Sequence, residues 1–138
     1  MKRTSSHRGR RGVESIEAAV TLPTLLLVIF AGFEYGWAVL KTVQLDHAAR
    51  IGARVASLSG TSAAEVSTQV ENALQASGIS DATVTVEPSD PGSAAAGDAI
   101  VVRVEAPYAS NRLLGLSRLM PLPSSLTGRA AAVKEPDA

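Results

Sequence analysis

The sequence has no cysteine and few aromatic residues, with two Phe, two Tyr and one Trp among 138 residues. Without cysteine, the chain can form neither a disulfide framework nor a cysteine metal site. Its two histidines, His7 and His47, are isolated in the sequence, so no transition-metal site is expected. The formal net charge is zero, which gives no bulk electrostatic attraction for nucleic acid. An exported domain of this composition has to be stabilised by packing, by an oligomer or by an anchor.

Motifs for catalysis are also missing from the sequence. Asp46 and His47 are adjacent in a predicted helix, so their side chains point in different directions and a triad there is not expected. No glycine-rich phosphate loop is present, and no pair of carboxylates suggests an acid–base site in the second half of the chain. We therefore predict that the chain is not an enzyme and that it needs no cofactor and no metal.

What the sequence does contain is one long apolar stretch near its beginning. Residues 18–33 carry no charge, Glu34 interrupts, and apolar residues resume as far as Leu40. As a helix, residues 18–40 would extend about 34 Å, enough to cross a hydrocarbon core of about 30 Å. So small a chain has too little protein to surround such a helix. We predict a transmembrane helix over residues 13–40.

The charges around this stretch predict its orientation. A cluster of basic residues precedes it, whereas only Lys41 follows closely: Lys2, Arg3, Arg8, Arg10 and Arg11. The positive-inside rule then puts the N-terminus in the cytoplasm and the C-terminal part outside, in a single pass through the cytoplasmic (inner) membrane. Tyr35 and Trp37 are expected near the outer headgroups. A plain signal anchor and a cleaved secretory signal are the alternatives, although no small-x-small site closes the apolar run.

Two carboxylates make the stretch unusual. Glu17 lies at its beginning and Glu34 lies inside it. An ionised carboxylate at membrane depth costs a few kcal/mol or more, so it usually has a partner and a function. Glu34 either has such a role or extends its side chain to the outer interface.

The spacing of residues around Glu17 resembles a known processing signal. A basic leader ends at Gly12, Glu17 is the fifth residue after it, and Pro23 follows six residues later. This pattern resembles the class III signal of type IV pilins and minor pilins, which a prepilin peptidase cuts. Together with residues 34–36 (Glu-Tyr-Gly) and residues 48–54 (Ala-Ala-Arg-x-Gly-Ala-Arg), it resembles the TadE-like family of tight-adherence pilus assembly proteins.

The resemblance implies a processing site and a mechanism of assembly. Cleavage would fall between Gly12 and Val13 and make Glu17 the fifth residue of the mature chain. Glu17 of one subunit could then pair with the α-amine of a neighbour, which offsets two desolvation costs at once. Gly9 with Glu14 offers a second register, which would place Arg10 and Arg11 at the head of the mature helix and lose the Pro23 spacing.

The resemblance also implies a role in helix packing and assembly for eight residues of the matched pattern. These are Glu17, Pro23, Glu34, Tyr35, Gly36, Arg50, Gly52 and Arg54. Partners implied by the resemblance are the prepilin peptidase, other minor and major pilins, and the assembly platform in the cytoplasmic membrane, with no nucleic acid. Arg50 and Arg54 are either subunit contacts or part of a solvated face.

After Lys41 the helical pattern continues without a break to Ser59. Ala48, Ile51, Val55 and Leu58 share one face at intervals of three and four residues, which predicts an amphipathic half that carries a head. A second helix is predicted after Ser62, because Ser62 and Glu65 have the spacing of a capping box.

Alternating residues then predict strands at residues 82–87 and 99–107, and a third is expected at residues 126–133. The leucine-rich stretch 113–122 between the last two is a short helix or an extended lid over the core. The fold class is α+β and pilin-like: a long N-terminal helix, transmembrane then amphipathic, with a head of one short helix and a three-stranded antiparallel sheet. The predicted parts are a leader at residues 1–12, cleaved after Gly12, the membrane helix at 13–40, and an extracytoplasmic head at 41–138.

From these observations we expect a minor pilin or pseudopilin of a tight-adherence, type IV-like pilus. It would act without catalysis in pilus biogenesis and surface adherence, and it could enter the fibre. The alternative is an uncleaved signal-anchored accessory protein whose outside head binds envelope components.

Overall fold

The computed structural model describes residues 8–136, with side chains from residue 12 onward. The chain divides into two compact units, the first ending at Phe33 and the second beginning at Glu34. Lys2 and Arg3, and the side chains of Arg8, Arg10 and Arg11, lie outside the described part, so the prediction of a basic leader remains a prediction.

The first unit is helical. Helix α1 begins at Arg8 and ends at Ala56, so its first part forms this unit and its second part belongs to the next. Residues 12–33 are exposed except for the half-buried Ala31. Pro23 lies inside the helix, where its ring nitrogen cannot donate the usual hydrogen bond to the carbonyl four residues back. Beside it, the Thr24 hydroxyl donates to the Val20 carbonyl at 3.0 Å.

The second unit packs residues 34–56 of α1 on the rest of the head through a face of small residues. Its buried members are Ala38, Leu45, Ala48, Ala49, Gly52, Ala53 and Ala56. The sequence pattern placed Ile51, Val55 and Leu58 on the buried face. That assignment is wrong in part, because Ile51 and Val55 are only half-buried and Leu58 is 47% exposed. Small side chains occupy the buried face of α1 because they let the helix approach the sheet closely.

Helix α2, Ala63–Ala76, has the caps that the sequence predicts. The Ser62 hydroxyl accepts a hydrogen bond from the Glu65 backbone N–H, and the Ser62 N–H donates to the Glu65 carboxylate at 2.9 Å. At the other end Gly78 has a φ of +61°, and the N–H of Ile79 donates to the Leu74 carbonyl at 3.0 Å. This is the Schellman arrangement, in which glycine supplies the left-handed residue.

Three strands form an antiparallel sheet in the order β1-β2-β3. β1 is Thr83–Glu87, β2 is Ala99–Pro107 and β3 is Ser125–Val133. A single 3₁₀ turn, Pro91–Ser93, lies between β1 and β2, and the short helix α3, Tyr108–Asn111, follows β2 directly. On β2 the side chains alternate, with Ile100, Val102, Val104 and Ala106 buried. The α+β, pilin-like fold class is therefore confirmed.

Two contacts hold β3 close to α1. An added Cβ at Gly128 would collide with the backbone of Leu45 and Asp46, so only glycine fits there. Next to it, the Arg129 N–H donates to Asp46 Oδ1 at 3.1 Å.

The leucine-rich stretch forms neither the helix nor the full lid that the sequence suggested. After α3 the chain has no regular element until β3 begins. Leu122 packs half-buried against the core, whereas Leu113, Leu114 and Leu119 are exposed. The side chain that fills the core here is Tyr108, which is 3% exposed.

Candidate assembly surface and its anchor

The first unit presents a helix with apolar side chains on every side, and nearly all of these side chains are exposed. Among its exposed side chains, Val13 is 65%, Ile16 69% and Val20 66% exposed. Large apolar residues continue to its end: Leu22, Leu25, Leu26, Leu27, Val28, Ile29, Phe30 and Phe33. An 18-residue window of this helix has a mean hydropathy of 2.0 and none of it is buried. By length and composition α1 is a candidate membrane span, consistent with a single-pass membrane protein.

The predicted processing residues lie at the start of this surface. Gly12, Val13 and Glu17 are all helical and exposed. A Cβ at Gly12 would meet nothing within 4 Å, so no packing in the described structure requires glycine there. Pro23 is also exposed on this helix. Because these residues are exposed, their side chains are available to other molecules.

Glu34, in contrast, is fully buried at the start of the second unit. The Tyr108 hydroxyl donates to Glu34 Oε1 at 2.6 Å, and the Leu114 backbone N–H donates to Oε2 at 2.8 Å. Sequence reasoning singled out Glu34 but missed both partners, which are 74 and 80 residues away. The structure thus gives this carboxylate two hydrogen-bond partners inside the chain.

Tyr108 is the donor in this pair because its phenol stays protonated. Burial raises the pKa of Tyr108 well above its ordinary value, and the hydrogen bond to Glu34 raises it further. A neutral phenol that donates to a carboxylate forms one of the stronger protein hydrogen bonds.

Two neighbours of Glu34 in the helix extend the same anchor. The Tyr35 hydroxyl donates to the Pro121 carbonyl at 2.6 Å, and Trp37 Nε1 donates to the Asn111 carbonyl at 2.8 Å. The Asn111 amide in turn bonds both backbone groups of Ser80. The aromatic pair expected at headgroup depth therefore ties α1 to the segment between β2 and β3.

Lys41 completes the anchor from one turn further on. Its Nζ donates to the carbonyls of Ser77 and Gly78, at 2.9 and 3.1 Å, and lies 5.0 Å from the Trp37 ring centroid. A cation at the C-terminal end of α2 also suits the helix dipole. We call Glu34, Tyr35, Trp37 and Lys41, with their partners, the Glu34 anchor.

The two glycines in the matched pattern lie in opposite surroundings. A Cβ at Gly52 would lie 2.5 Å from Val70 Cγ2 and 3.1 Å from Val102 Cγ1, so Gly52 is needed inside the head. A Cβ at Gly36 would meet nothing within 4 Å. Helix packing and assembly were predicted for both glycines, whereas the structure shows intramolecular packing at Gly52 and an exposed position at Gly36.

Arg50 and Arg54 lie on the outward side of α1. Both are exposed, and they continue a stripe at intervals of three and four residues. This outward stripe consists of Gly36, Val39, Val43, His47, Arg50 and Arg54, all exposed. It is apolar for its first three members and basic at its end. Such a surface can pack against another helix, but it brings no nucleophile and base together.

Within residues 8–136, no group of three His, Asp or Glu side chains could hold a metal ion. The described residues offer contact surface, namely an exposed apolar helix and an outward stripe. The Glu34 anchor ties residues 34–41 of α1 to the rest of the second unit.

Comparison with known proteins matches one part of the chain. Residues 12–54 match the family described as TadE-like protein. This match covers less than half of the chain and confirms, over those residues, the resemblance predicted from the sequence. A search of curated proteins and a search of solved structures each found no match.

Proposed function

We propose that this chain, with its TadE-like residues 12–54, is a minor pilin or pseudopilin of a tight-adherence, type IV-like pilus. It acts without catalysis in pilus biogenesis and surface adherence. Before assembly it spans the cytoplasmic membrane once, with its N-terminus in the cytoplasm and its head outside. The observation that supports this best is the exposed apolar helix of residues 12–33, joined to a well-packed head.

A helix with apolar side chains all round is not stable in water on its own, because its large apolar surface would be hydrated. Lipid covers it in the membrane, and the helices of sister pilins cover it in a fibre. The buried apolar cluster runs from Ala38 to Leu126 and includes no residue of this part of the helix. The helix is therefore free to exchange one apolar environment for the other.

Glu17 is the residue to which we assign the choice of register during that exchange. Cleavage between Gly12 and Val13 creates an α-amine, and Glu17 lies four residues further along an exposed helix. A carboxylate in an apolar environment is costly unless it is paired. Pairing with the amine of a neighbouring subunit removes the cost for both charges and fixes how far one helix slides along the next.

The outward stripe provides a second contact in this proposal. Gly36, Val39 and Val43 present an apolar surface on the second unit, and Arg50 and Arg54 end it with positive charge. Neighbouring pilins would pack on the apolar part, and their acidic groups would meet the arginines. The prepilin peptidase, the other pilins and the membrane assembly platform are the partners.

The first experiment is the intact mass and N-terminal sequence of the protein isolated from membranes. Processing predicts a chain that begins at Val13. A chain that still begins at Met1 or Lys2 contradicts processing and favours the uncleaved, signal-anchored accessory protein. A chain that begins beyond Leu40 contradicts membrane anchorage altogether.

The second experiment uses two matched carboxylates, Glu17 and Glu14, which are both exposed and one turn apart. We expect Glu17→Val to insert and be cleaved normally but to stop pilus assembly, and Glu14→Val to assemble like the wild type. Normal pili from Glu17→Val would remove Glu17 from the mechanism. Loss of pili from Glu14→Val alone would support the other register, with cleavage after Gly9.

A further inference from the structure

Three leucines stand out on the surface of the head because they lie in one loop and are all exposed. Leu113 is 45%, Leu114 49% and Leu119 66% exposed. Scattered exposed leucines are common, but several in one loop indicate a surface that meets another apolar phase. The loop also carries Arg112 and Arg118, both exposed, and residues 112–120 contain no acidic side chain.

The Glu34 anchor fixes where this loop lies. The N–H of Leu114 donates to Glu34 Oε2 at 2.8 Å, and the Pro121 carbonyl accepts from the Tyr35 hydroxyl at 2.6 Å. The loop is thus held at both ends by the first two residues of the second unit. Since Glu34 follows Phe33 directly in the chain, the loop is attached at the point where the apolar helix enters the head.

The length of the apolar helix brings that point close to the lipid. Residues 13–33 extend about 31 Å as a helix, which matches the roughly 30 Å of a hydrocarbon core. With these residues as the span, Glu34 falls at the level of the outer interface, where the residues that flank a membrane span lie. Apolar side chains of a loop held at Glu34 can contact lipid at that level.

We propose that residues 112–120 form a membrane foot that lies in the outer interface of the bilayer. In this arrangement Leu113, Leu114 and Leu119 contact the acyl chains, and Arg112 and Arg118 contact anionic lipid headgroups. The inference rests on the membrane anchorage proposed above and not on entry into a pilus. Lipid is favoured over a protein partner because the foot is held at Glu34 and Tyr35, the residues that follow the exposed apolar helix in the chain, and because it carries only positive charge.

The absence of cysteine makes a direct test possible. Single cysteines replace Leu119 and Leu114 in the foot, Leu58 as a control whose exposure is close to that of Leu114, and Leu26 as a control within the span. Each full-length variant carries a polarity-sensitive fluorophore and is reconstituted in vesicles of phosphatidylcholine and phosphatidylglycerol. Lipids with a nitroxide near the top of the acyl chain then quench any fluorophore in the interface.

The labelled positions give separate readings of foot and anchorage. We expect Leu119→Cys and Leu114→Cys to show a blue-shifted emission and at least about twofold stronger quenching than Leu58→Cys, because an interfacial segment lies about 5–10 Å into the headgroup and acyl boundary. Equal quenching in the foot and at position 58, with Leu26→Cys quenched by deeper nitroxides, overturns the foot and leaves the anchorage intact. If Leu26→Cys is not quenched, the anchorage fails and the foot fails with it.

The role of the arginines is tested on the same labelled protein. Arg112→Gln with Arg118→Gln should lower the quenching at position 119 in vesicles that contain phosphatidylglycerol. The matched control, Arg103→Gln with Arg129→Gln, removes two exposed arginines from the sheet and should change nothing. An equal effect of the two pairs contradicts the contact with headgroups. A foot that is quenched only after another envelope protein is added would overturn lipid as its partner.

Discussion

The Tyr108 hydroxyl donates a 2.6 Å hydrogen bond to Glu34 Oε1, across 74 residues of sequence and between two side chains that are both buried. Glu34 is the second of the two carboxylates that make the apolar stretch unusual, and its donor, Tyr108, is held in place by the core. Because the Leu114 N–H occupies the other oxygen, the carboxylate is satisfied on both sides. This relationship explains how a charge can follow an apolar helix without being in lipid.

Removing the donor should destabilise the head. We expect Tyr108→Phe to lower the free energy of unfolding by about 1–3 kcal/mol, because a buried carboxylate oxygen loses its partner. Thermal unfolding of the full chain in detergent micelles measures it. Tyr35→Phe is the matched control, since the Tyr35 hydroxyl makes an equally short bond at an exposed position and should cost less. Equal losses from the two variants would contradict the importance of burial.

The two glycines should respond to alanine in opposite ways. Gly52→Ala places a Cβ 2.5 Å from Val70 Cγ2, and overpacking of this kind costs about 1–3 kcal/mol of unfolding free energy. Gly36→Ala meets open space and should raise stability by about 0.5–1 kcal/mol, as glycine is a poor helix former. Unfolding midpoints in micelles give both values.

A second variant separates a clash at Gly52 from other causes. Val70→Ala in the Gly52→Ala background removes the atom that an added Cβ would meet. The double variant should therefore lose less stability than the sum of the two single ones. Additive losses would show that Gly52 is required for some other reason. If Gly36→Ala folds well and still blocks pilus assembly, its role is on the outside of the protein.

The capping box of α2 makes a prediction about pH. The Ser62 N–H and hydroxyl hold the pKa of the Glu65 carboxyl below its ordinary value. Since the pKa is lower in the folded state, this contribution is complete above the unfolded value of about 4.3 and is lost as pH falls through the folded value.

Glu65→Gln is the matched variant, because glutamine keeps the shape and has no carboxylate to protonate. Unfolding midpoints measured between about pH 3 and about pH 7 should fall more steeply for the wild type than for Glu65→Gln below the unfolded pKa of about 4.3. Parallel curves would contradict the assignment. Ser62→Ala should lower stability by about 1 kcal/mol across the whole range, since the cap itself is lost.

Lys41 should contribute to the free energy of unfolding, although it is a basic residue that follows the apolar stretch closely in the sequence. We expect Lys41→Met to cost about 1–3 kcal/mol, because the carbonyls of Ser77 and Gly78 lose their donor. Arg54→Met, at an exposed position of the same helix, should be nearly neutral for unfolding. A neutral Lys41→Met would mean that water replaces the ammonium at the end of α2.

Local patterns predicted much of the head, because local forces decide those parts. The alternation of Ile100, Val102 and Val104 identified β2, since one face of that strand is buried and the other is wet. Ser62 with Glu65 identified the start of α2, since a helix cap is a contact over three residues. The match of residues 12–54 to the TadE-like family likewise confirmed the resemblance drawn from the motifs around Glu17 and at residues 34–36 and 48–54.

Long-range contacts were not predictable in the same way. Nothing in the sequence near Glu34 points to Tyr108 or Leu114, so its partners came only from the structure. The buried face of α1 was misread because its alanines carry little apolar surface, while Leu58 carries much and is exposed. Close approach of backbones decided that face, and hydrophobicity scales do not measure it.

The bond from the Arg129 N–H to Asp46 has a consequence for how copies of this protein can associate. β3 is an outer strand of the sheet, and unpaired N–H groups on an outer strand are a template for adding another chain. Here a helix carboxylate occupies one of those groups, and Gly128 presses the strand against the α1 backbone beside it. Strand addition would first have to displace Asp46. Edge-to-edge pairing of two heads along β3 is in this way opposed at that position.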